Sequence, residues 1–351
     1  MAGAQDILAG LRRFYARRVA DPGVFVDAAK TGDMKTLRRL VAWGIRVNRP
    51  ANDEYQITAL YAAAAHGQEE ALRYLLSVPG IRVNMETASM GCALHGAVRE
   101  GNASCIKILM DDPRTNPNAI HKSWGYGETP LTLAMSSQNL DLIEAVLAHP
   151  QTNPNLSAER LNTPLCLAVK TEPPFLPGIR LLLANPRCDV NAASPDGDTA
   201  LHMAARFGTR EAMEALLERS DLLPLALNDT RQTALNEAVR QNRNDCAQLL
   251  LERGPEAILL PDILGRTPLH YAAENHNPRL CSLLIGMGSD IEAEDNNGKN
   301  PLDLAGPAFR EANEAMFEEA ANAARERKVR EVQKKARGRK RPSSAPSLCR
   351  K

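Results

Sequence analysis

The stretch that decides the fold is Asp196-Gly-Asp-Thr-Ala-Leu-His-Met-Ala-Ala-Arg-Phe-Gly208. A polar turn precedes Thr199, a residue type that caps helix N-termini, and small apolar residues then recur at helical spacing. Gly208 suits the left-handed conformation that ends many helices. A second helical pattern follows, with Met213, Leu216 and Leu217 on one face. The stretch therefore predicts a turn–helix–turn–helix unit.

This signature occurs eight times at a nearly constant interval. Its capping position is occupied by Thr58, Cys92, Thr129, Thr163, Thr199, Thr233, Thr267 and Asn300, in steps of 34, 37, 34, 36, 34, 34 and 33 residues. A period of this length indicates stacked units, each too small to bury its apolar face alone. A degenerate copy before Thr58, without the signature, has the character of a terminal cap. The sequence predicts an all-α solenoid of about nine helix pairs.

The repeat resembles the ankyrin repeat, whose pattern is D-x-x-G-x-T-P-L-H-x-A-A-x-x-G, a leucine-rich helix and an apolar-Asn step. The 196–208 copy matches it in order at Gly197, Thr199, Leu201, His202, Ala204, Ala205 and Gly208. The apolar-Asn or Pro-Asn step recurs at Val47-Asn48, Val83-Asn84, Pro117-Asn118, Pro154-Asn155, Val190-Asn191 and Leu227-Asn228. The resemblance implies helix pairs with β-turn fingers, whose fingertips and first helices form a concave surface that binds proteins.

The period and the composition divide the chain into four segments. We expect an N-terminal helix over 1–21, the ankyrin array over 22–306, a C-terminal helix over 307–333 and a disordered basic tail over 334–351. Within the first segment, apolar and arginine stripes leave two interpretations open: a leader that covers the first repeat, or a membrane-surface or partner helix. In the array, prolines near Pro173 predict a bulged turn between two helices.

Charge separates the array from the tail. Residues 324–351 carry twelve Lys or Arg and two Glu, whereas the rest of the chain carries 31 basic and 40 acidic residues. The tail resembles a bipartite nuclear-localisation signal that binds importin, formed by Arg327, Lys328, Lys334, Lys335, Arg337, Arg339, Lys340 and Arg341. Contact with nucleic-acid phosphates, folding back on the acidic array, or a merely soluble end are the alternatives. Phosphorylation of Ser343 or Ser344 would weaken any such contact.

Several classes of function are disfavoured. We expect no membrane span and no secretory signal, since long apolar runs are missing. The seven cysteines have no metal-site spacing and suit a reducing compartment, cytoplasm or nucleus. His95, His202 and His270 share the fourth position of the motif, where polar types vary between copies, so a structural role is favoured. We expect no cofactor, no metal, no catalytic residue and a monomeric array.

Candidate binding residues follow from the register of the repeat. Two aromatics, Trp124 and Tyr126, stand at the tip of the longest finger, where they suit partner anchors; the alternative is that Trp124 packs on the next finger. The other predicted fingertip positions are Tyr55, Gln56, Arg160, Leu161, Pro195, Asp196, Asp198, Arg231, Ile263 and Leu264. The predicted first-helix positions are Ala65, His66, Arg99, Glu100, Arg206, Phe207, Arg240 and Gln241.

The resemblance also implies a modification, because ankyrin repeats are substrates of an asparaginyl hydroxylase at the apolar-Asn step. Asn84 and Asn191 fit best, each eight residues after a leucine. The predicted function is non-catalytic: an adaptor or scaffold for a protein partner. The alternatives are a nuclear regulator or host-directed effector acting through its basic tail, and a substrate receptor in a ubiquitin-ligase-type complex.

Overall fold

A computed structural model describes residues 21–123, 126–157, 162–322 and 325–326. Within them, nine helix pairs follow one another along the chain. The first helices are α1 (Pro22–Thr31), α3 (Ala59–Ala65), α5 (Ala93–Arg99), α7 (Pro130–Ser136), α9 (Pro164–Lys170), α11 (Ala200–Phe207), α13 (Ala234–Arg240), α15 (Pro268–Glu274) and α17 (Pro301–Leu304). The second helices are α2 (Met34–Ala42), α4 (Glu69–Ser77), α6 (Ala103–Met110), α8 (Leu140–Leu147), α10 (Leu176–Ala184), α12 (Arg210–Leu217), α14 (Asn244–Arg253), α16 (Pro278–Gly286) and α18 (Pro307–Ala312).

The first helices begin where the repeat signature predicts. Thr58 accepts the backbone N–H of Tyr61 at 3.1 Å, and Asn300 performs the same role for Asp303 at 3.0 Å. Several helices also start with proline, which lacks the N–H that would be unpaired there. Gly208 has a φ of 72°, the left-handed conformation expected at the end of α11. The all-α ankyrin fold is confirmed.

Small and large residues divide the core as the sequence predicts. The paired alanines of the first helices are fully buried, among them Ala63, Ala64, Ala204, Ala205, Ala272 and Ala273. The second helices supply bulk, among them Leu72, Leu75, Ile106, Leu109, Ile143, Leu182, Leu216 and Leu284. Small side chains allow close approach of neighbouring helices, and the larger ones fill the layer between successive pairs.

The chain forms two compact units. The first unit covers the chain up to Ala204 together with Glu211–Leu222, and the second covers Ala205–Arg210 and the chain from Leu223 onwards. In the first unit, the predicted bulge is the five-residue turn 171–175 between α9 and α10. In the second, the predicted C-terminal helix is broken at Asn313 into α18 and a helical stretch over 314–322. The predicted N-terminal helix and basic tail lie outside the described residues.

Candidate protein-interaction surface

The longest finger is a short β-hairpin. Strand β1 (His121–Ser123) pairs antiparallel with β2 (Tyr126–Glu128), and His121 lies opposite Glu128. Trp124 and the side chain of Tyr126 lie outside the described residues, so their anchor role stays a prediction. The hairpin itself is fixed at its base, where the Nε2 atom of the buried His95 lies 3.2 Å from the Glu128 carbonyl oxygen.

The remaining fingertips differ in exposure. Tyr55, Asp196 and Arg231 are exposed, as predicted, whereas Arg160 and Leu161 lie outside the described residues. Gln56 and Arg231 adopt left-handed φ values of 50° and 57°, which places them at tight bends of the fingers. The interpretation of Asp198 as a fingertip contact is wrong, because its side chain is buried at the base of the finger.

The first-helix positions are partly occupied by internal contacts. His66 is exposed, but its Nδ1 atom lies 3.0 Å from the Ala62 carbonyl oxygen. Arg99 donates to the Met90 carbonyl oxygen at 2.8 Å and pairs with Glu128 at 3.4 Å, so it fastens one finger to the next. The interpretation of Ala65 as an exposed position is wrong, since it packs in the core.

Two predicted binding residues share a buried carboxylate in the second unit. Arg206 donates to both oxygens of Glu237 at 3.1 Å, and Arg240 donates to them at 2.9 and 3.1 Å. Burial opposes ionisation of Glu237, but the hydrogen bonds and charges of Arg206 and Arg240 outweigh it and lower its pKa. Phe207 beside them is half-buried. This cluster places two positive charges on the first-helix face around one negative charge.

Exposed aliphatic side chains concentrate in the second unit. Among the described residues nine large hydrophobic side chains are exposed, and five of them fall within residues 223–264 at 46–61% exposure. We call this set the apolar edge; its members are Leu223, Leu227, Leu259, Ile263 and Leu264. Only Ile263 and Leu264 were predicted from the sequence. Leu223, Leu227 and Leu259 follow closely after leucine-rich second helices in the sequence. A pattern-based prediction therefore assigns them to the helix core and not to the surface.

Backbone contacts tie the segments that carry the apolar edge to their neighbours. The Ile263 N–H donates to the Thr230 carbonyl oxygen of the preceding finger at 2.9 Å. The Leu264 carbonyl oxygen accepts the Asn296 N–H of the following finger at 2.9 Å. A Cβ atom at Gly254 would lie 3.2 Å from the Leu225 side chain, so the 223–227 loop rests against the turn that follows α14.

In the first unit the apolar-Asn step forms an asparagine ladder. Asn84 donates to the Arg114 carbonyl oxygen at 2.7 Å and accepts the Asn116 N–H at 2.8 Å, both in the next repeat. The same pair of bonds is made by Asn48, Asn118 and Asn155, and Asn191 donates to the Asp221 carbonyl oxygen at 2.8 Å. The structural role of these residues is therefore observed, while hydroxylation of Asn84 and Asn191 stays a prediction.

Asn228 does not belong to this ladder. Its buried side chain accepts the N–H groups of Thr230 and Gln232 within its own finger, at 3.1 and 2.9 Å. Asp262 makes the equivalent bonds one repeat later, to the N–H groups of Leu264 and Arg266. The assignment of Leu227-Asn228 to the apolar-Asn step is thus wrong, because Asn228 occupies the finger position of the repeat.

The motif histidines have structural partners. The Thr267 N–H lies 3.0 Å from Nδ1 of His270, whose Nε2 lies 3.2 Å from the Lys299 carbonyl oxygen of the next repeat. Burial lowers the pKa of His95 to about 4 and lowers that of His270 in the same direction. In the described part of the chain no cluster of three or more His, Cys, Asp or Glu side chains suits a metal ion.

Comparison with known proteins agrees with this geometry. Family models described as "Ankyrin repeats (3 copies)" match residues 94–194 and 174–259, and models described as "Ankyrin repeats (many copies)" match 25–76 and 250–305. The chain belongs to the ankyrin-repeat family. Proteins of this family are generally interaction modules rather than catalysts. No helix among the described residues has the length and apolar character needed to cross a bilayer.

The curated relatives match this chain over only part of their own length. "B-cell lymphoma 3 protein homolog" of Mus musculus is 30% identical over 51% of this chain and 41% of that protein. "Transient receptor potential cation channel subfamily A member 1" of Homo sapiens is 25% identical over 57% of this chain and 18% of the channel. "Neurogenic locus notch homolog protein 1" of Xenopus tropicalis is 35% identical over 38% of this chain and 6% of that protein. The chain therefore spans less than half of each relative.

Proposed function

We propose that this ankyrin-repeat protein is a non-catalytic adaptor that binds a protein partner through its fingertips and first helices. The observation that carries the proposal is the apolar edge, which holds five of the nine large hydrophobic side chains that are exposed in the described part of the chain, all within 42 residues. Exposed large apolar side chains that concentrate in one region of a protein mark candidate interaction sites. The family resemblance supports the fingertip members, Ile263 and Leu264, whereas Leu223, Leu227 and Leu259 lie in the segments that follow second helices.

The hydrogen bonding of the fingertip narrows the kind of partner. The N–H and carbonyl oxygen of Ile263 and the carbonyl oxygen of Leu264 already bond to neighbouring fingers. The tip therefore offers side chains rather than an open backbone edge, which disfavours recognition by strand addition. A partner helix that inserts apolar side chains between the leucines fits this surface better. Arg206 and Arg240 on the neighbouring first helices then favour an acidic rim on that partner.

The test is partner capture followed by a quantitative binding assay. The double variant Ile263→Ser/Leu264→Ser removes the fingertip side chains, and Val24→Ser/Leu140→Ser is the matched control at exposed apolar positions elsewhere. We expect the first to weaken binding about 100-fold or more and the control to bind normally. Equal binding by both variants would place recognition elsewhere. A Trp124→Ala/Tyr126→Ala variant then tests the long finger.

A second candidate function rests on the basic tail. We propose that the twelve Lys and Arg residues of 324–351 direct nuclear import through importin, which would place the protein in the nucleus as well as the cytoplasm. A fluorescent fusion ending at Ala323 tests this against the intact chain. Nuclear signal lost with the tail and restored by attaching 324–351 to an unrelated protein supports import. Unchanged distribution contradicts it, and nucleic-acid binding by the isolated tail would favour phosphate contact instead.

A further inference from the structure

A histidine at the base of the long finger lies in an environment that does not suit its neutral form. His121 begins strand β1, and its side chain is only 3% exposed. Among the described residues neither of its ring nitrogens has a hydrogen-bond partner. A neutral imidazole carries one N–H donor and one acceptor nitrogen, and leaving both unpaired in the protein interior is costly.

The repeat does not require a histidine at this position. His121 lies eight positions before the capping residue of its repeat, where other repeats of the first unit have Asn84, Asn155 and Asn191. In the repeat of the long finger, Asn118 makes the bonds of the asparagine ladder instead, to the Gln151 carbonyl oxygen at 2.8 Å and from the Asn153 N–H at 2.7 Å. The ladder is therefore complete without His121, and cohesion between repeats does not explain a histidine here.

A carboxylate of the preceding finger lies close to the buried ring. Nδ1 of His121 is 4.0 Å from Oε2 of Glu86, which is beyond hydrogen-bond distance and at the outer limit for an ion pair. The Glu86 side chain is 55% exposed, so it is able to rotate toward the ring. A protonated imidazole donates from both nitrogens, and a charge-assisted bond to a carboxylate is stronger than a neutral one.

The charges around His121 favour the addition of one proton. Glu86 approaches from the preceding finger, and Glu128 lies opposite His121 in the hairpin, where it pairs with Arg99 at 3.4 Å. Two carboxylates and one guanidinium carry a net charge of −1, which a proton on His121 brings to zero. Lys122 follows His121 in the strand, and successive side chains of a strand point to opposite faces.

The neighbouring histidine does not compete for this proton. The rings of His95 and His121 pack edge to face, with their centroids 5.9 Å apart. Burial lowers the pKa of His95 to about 4, so His95 is neutral at pH 5.5 and above. Cys92, which contacts His95, is also neutral, because burial raises the pKa of its thiol. In this described cluster His121 is thus the residue whose type changes charge between about pH 5 and 8.

We propose that His121 and Glu86 form a proton-dependent link between the long finger and the finger that precedes it. When the imidazole is neutral, this pair adds nothing to the attachment of the hairpin. When the imidazole is protonated, Nδ1–H donates to the Glu86 carboxylate, which moves in from solvent. The long finger is therefore held more firmly in mildly acidic solution than at neutral pH. This link is a property of the fold and does not rest on the proposed adaptor function.

The experiment measures amide hydrogen exchange of the full chain at strands β1 and β2, at pH 8.0 and pH 5.5. Rates are corrected for the intrinsic effect of pH, so the readout is the protection of the hairpin against opening. We expect this protection to rise about threefold at the lower pH in wild type, as for one partly exposed ion pair. The rise should disappear in His121→Asn, which restores the residue that other repeats have at this position.

A second variant keeps the test decisive if His121→Asn folds poorly. Glu86→Gln preserves the size of an exposed side chain but removes its charge, and the rise in protection should fall below about 1.5-fold. The matched controls are His66→Gln and Glu54→Gln, which remove the same types of group at exposed positions of the first unit and should retain the full rise.

Three results would overturn the link. One is equal protection at both pH values in wild type, and another is faster exchange of the hairpin at pH 5.5. The third is a full rise in Glu86→Gln, which would show that the carboxylate is not the partner of the protonated ring.

Discussion

The two units have different residues at the loop position where one repeat meets the next. Eight positions before the capping residue of the repeat, the first unit places Asn84, Asn155 and Asn191, which join successive repeats by side-chain hydrogen bonds. At the same position the second unit has Leu225, Leu259 and Glu292. The first unit thereby closes its loops with polar bonds, whereas in the second unit Leu225 is half-buried and Leu259 is exposed. We therefore expect the loops of the first unit to resist opening more strongly than those of the second.

The largest expected effect concerns acid stability in the first unit. His95 must stay neutral, because Nδ1 faces the Cys92 N–H, and burial, helped by the nearby His121 and Arg99, lowers its pKa to about 4. An unfolded histidine titrates near 6.5, so the unfolded state binds more protons between these values. Stability is complete above pH 6.5 and falls by up to about 3 kcal/mol as the pH approaches 4.

The measurement is urea unfolding of wild type and His95→Thr from pH 7.5 to pH 4. Threonine is the residue that the chain itself uses at the equivalent position, where the Thr129 N–H donates to Oγ1 of Thr132 at 2.8 Å. The readout is the slope of unfolding free energy with pH, which a cavity left by the smaller side chain does not alter. An unchanged slope in the variant would refute the assignment to His95.

A smaller effect tests the asparagine ladder directly. Asn155→Ala removes one bond donated to the Arg187 carbonyl oxygen and one accepted from the Asp189 N–H, each 2.8 Å long. We expect a loss of about 2 kcal/mol in the free energy of unfolding, since each net hydrogen bond contributes about 1 kcal/mol. Leu259→Ala at the matching position of the second unit should cost less than about 0.5 kcal/mol. Equal losses would erase the distinction between the units.

The arginine pair around Glu237 provides the next test. Glu237→Gln keeps the shape of the side chain but removes the charge that Arg206 and Arg240 share, so we expect a loss of about 1 kcal/mol at neutral pH. Because these arginines lower the pKa of Glu237, its contribution should be present above pH 4.5 and disappear at lower pH. Chemical unfolding at pH 7 and pH 3.5 checks this; a variant effect that is undiminished at the lower pH would contradict the ionic origin.

The smallest expected effect on stability belongs to the apolar edge. Leu223→Ser/Leu227→Ser should change the free energy of unfolding by less than about 0.5 kcal/mol, because both side chains are largely exposed. The same variant should weaken partner binding, as seen by calorimetry with the captured partner. A large loss of stability would show that these leucines hold the second unit together and are unavailable to a partner.

Most of the architecture could be predicted because it is repeated. Eight copies of one signature fix the helix pairs, their caps and the buried alanines, and local chemistry agrees with the fold at each. The errors occurred where two different positions of the repeat have similar local sequences. Leu227-Asn228 imitates the apolar-Asn step, yet Asn228 lies three residues further along the repeat and turns into its own finger.

The surface was harder to predict than the core. Asp198 was assigned to a fingertip, but it lies two residues after the exposed Asp196 and is buried at the base of the finger. The leucines of the apolar edge follow second helices, and the periodicity of the sequence does not show where those helices end. Exposure depends on tertiary contacts that one chain's pattern does not record.

The asparagine ladder has a consequence for any enzyme that would act on it. The side-chain amide of Asn84 is occupied on both sides, as donor to one neighbouring backbone group and as acceptor from another. An enzyme that needs access to this amide would therefore meet it unbonded only in molecules whose loop has opened. The fraction of chains hydroxylated at Asn84 would therefore increase with the total time that the loop has spent open, and mass spectrometry would measure that fraction.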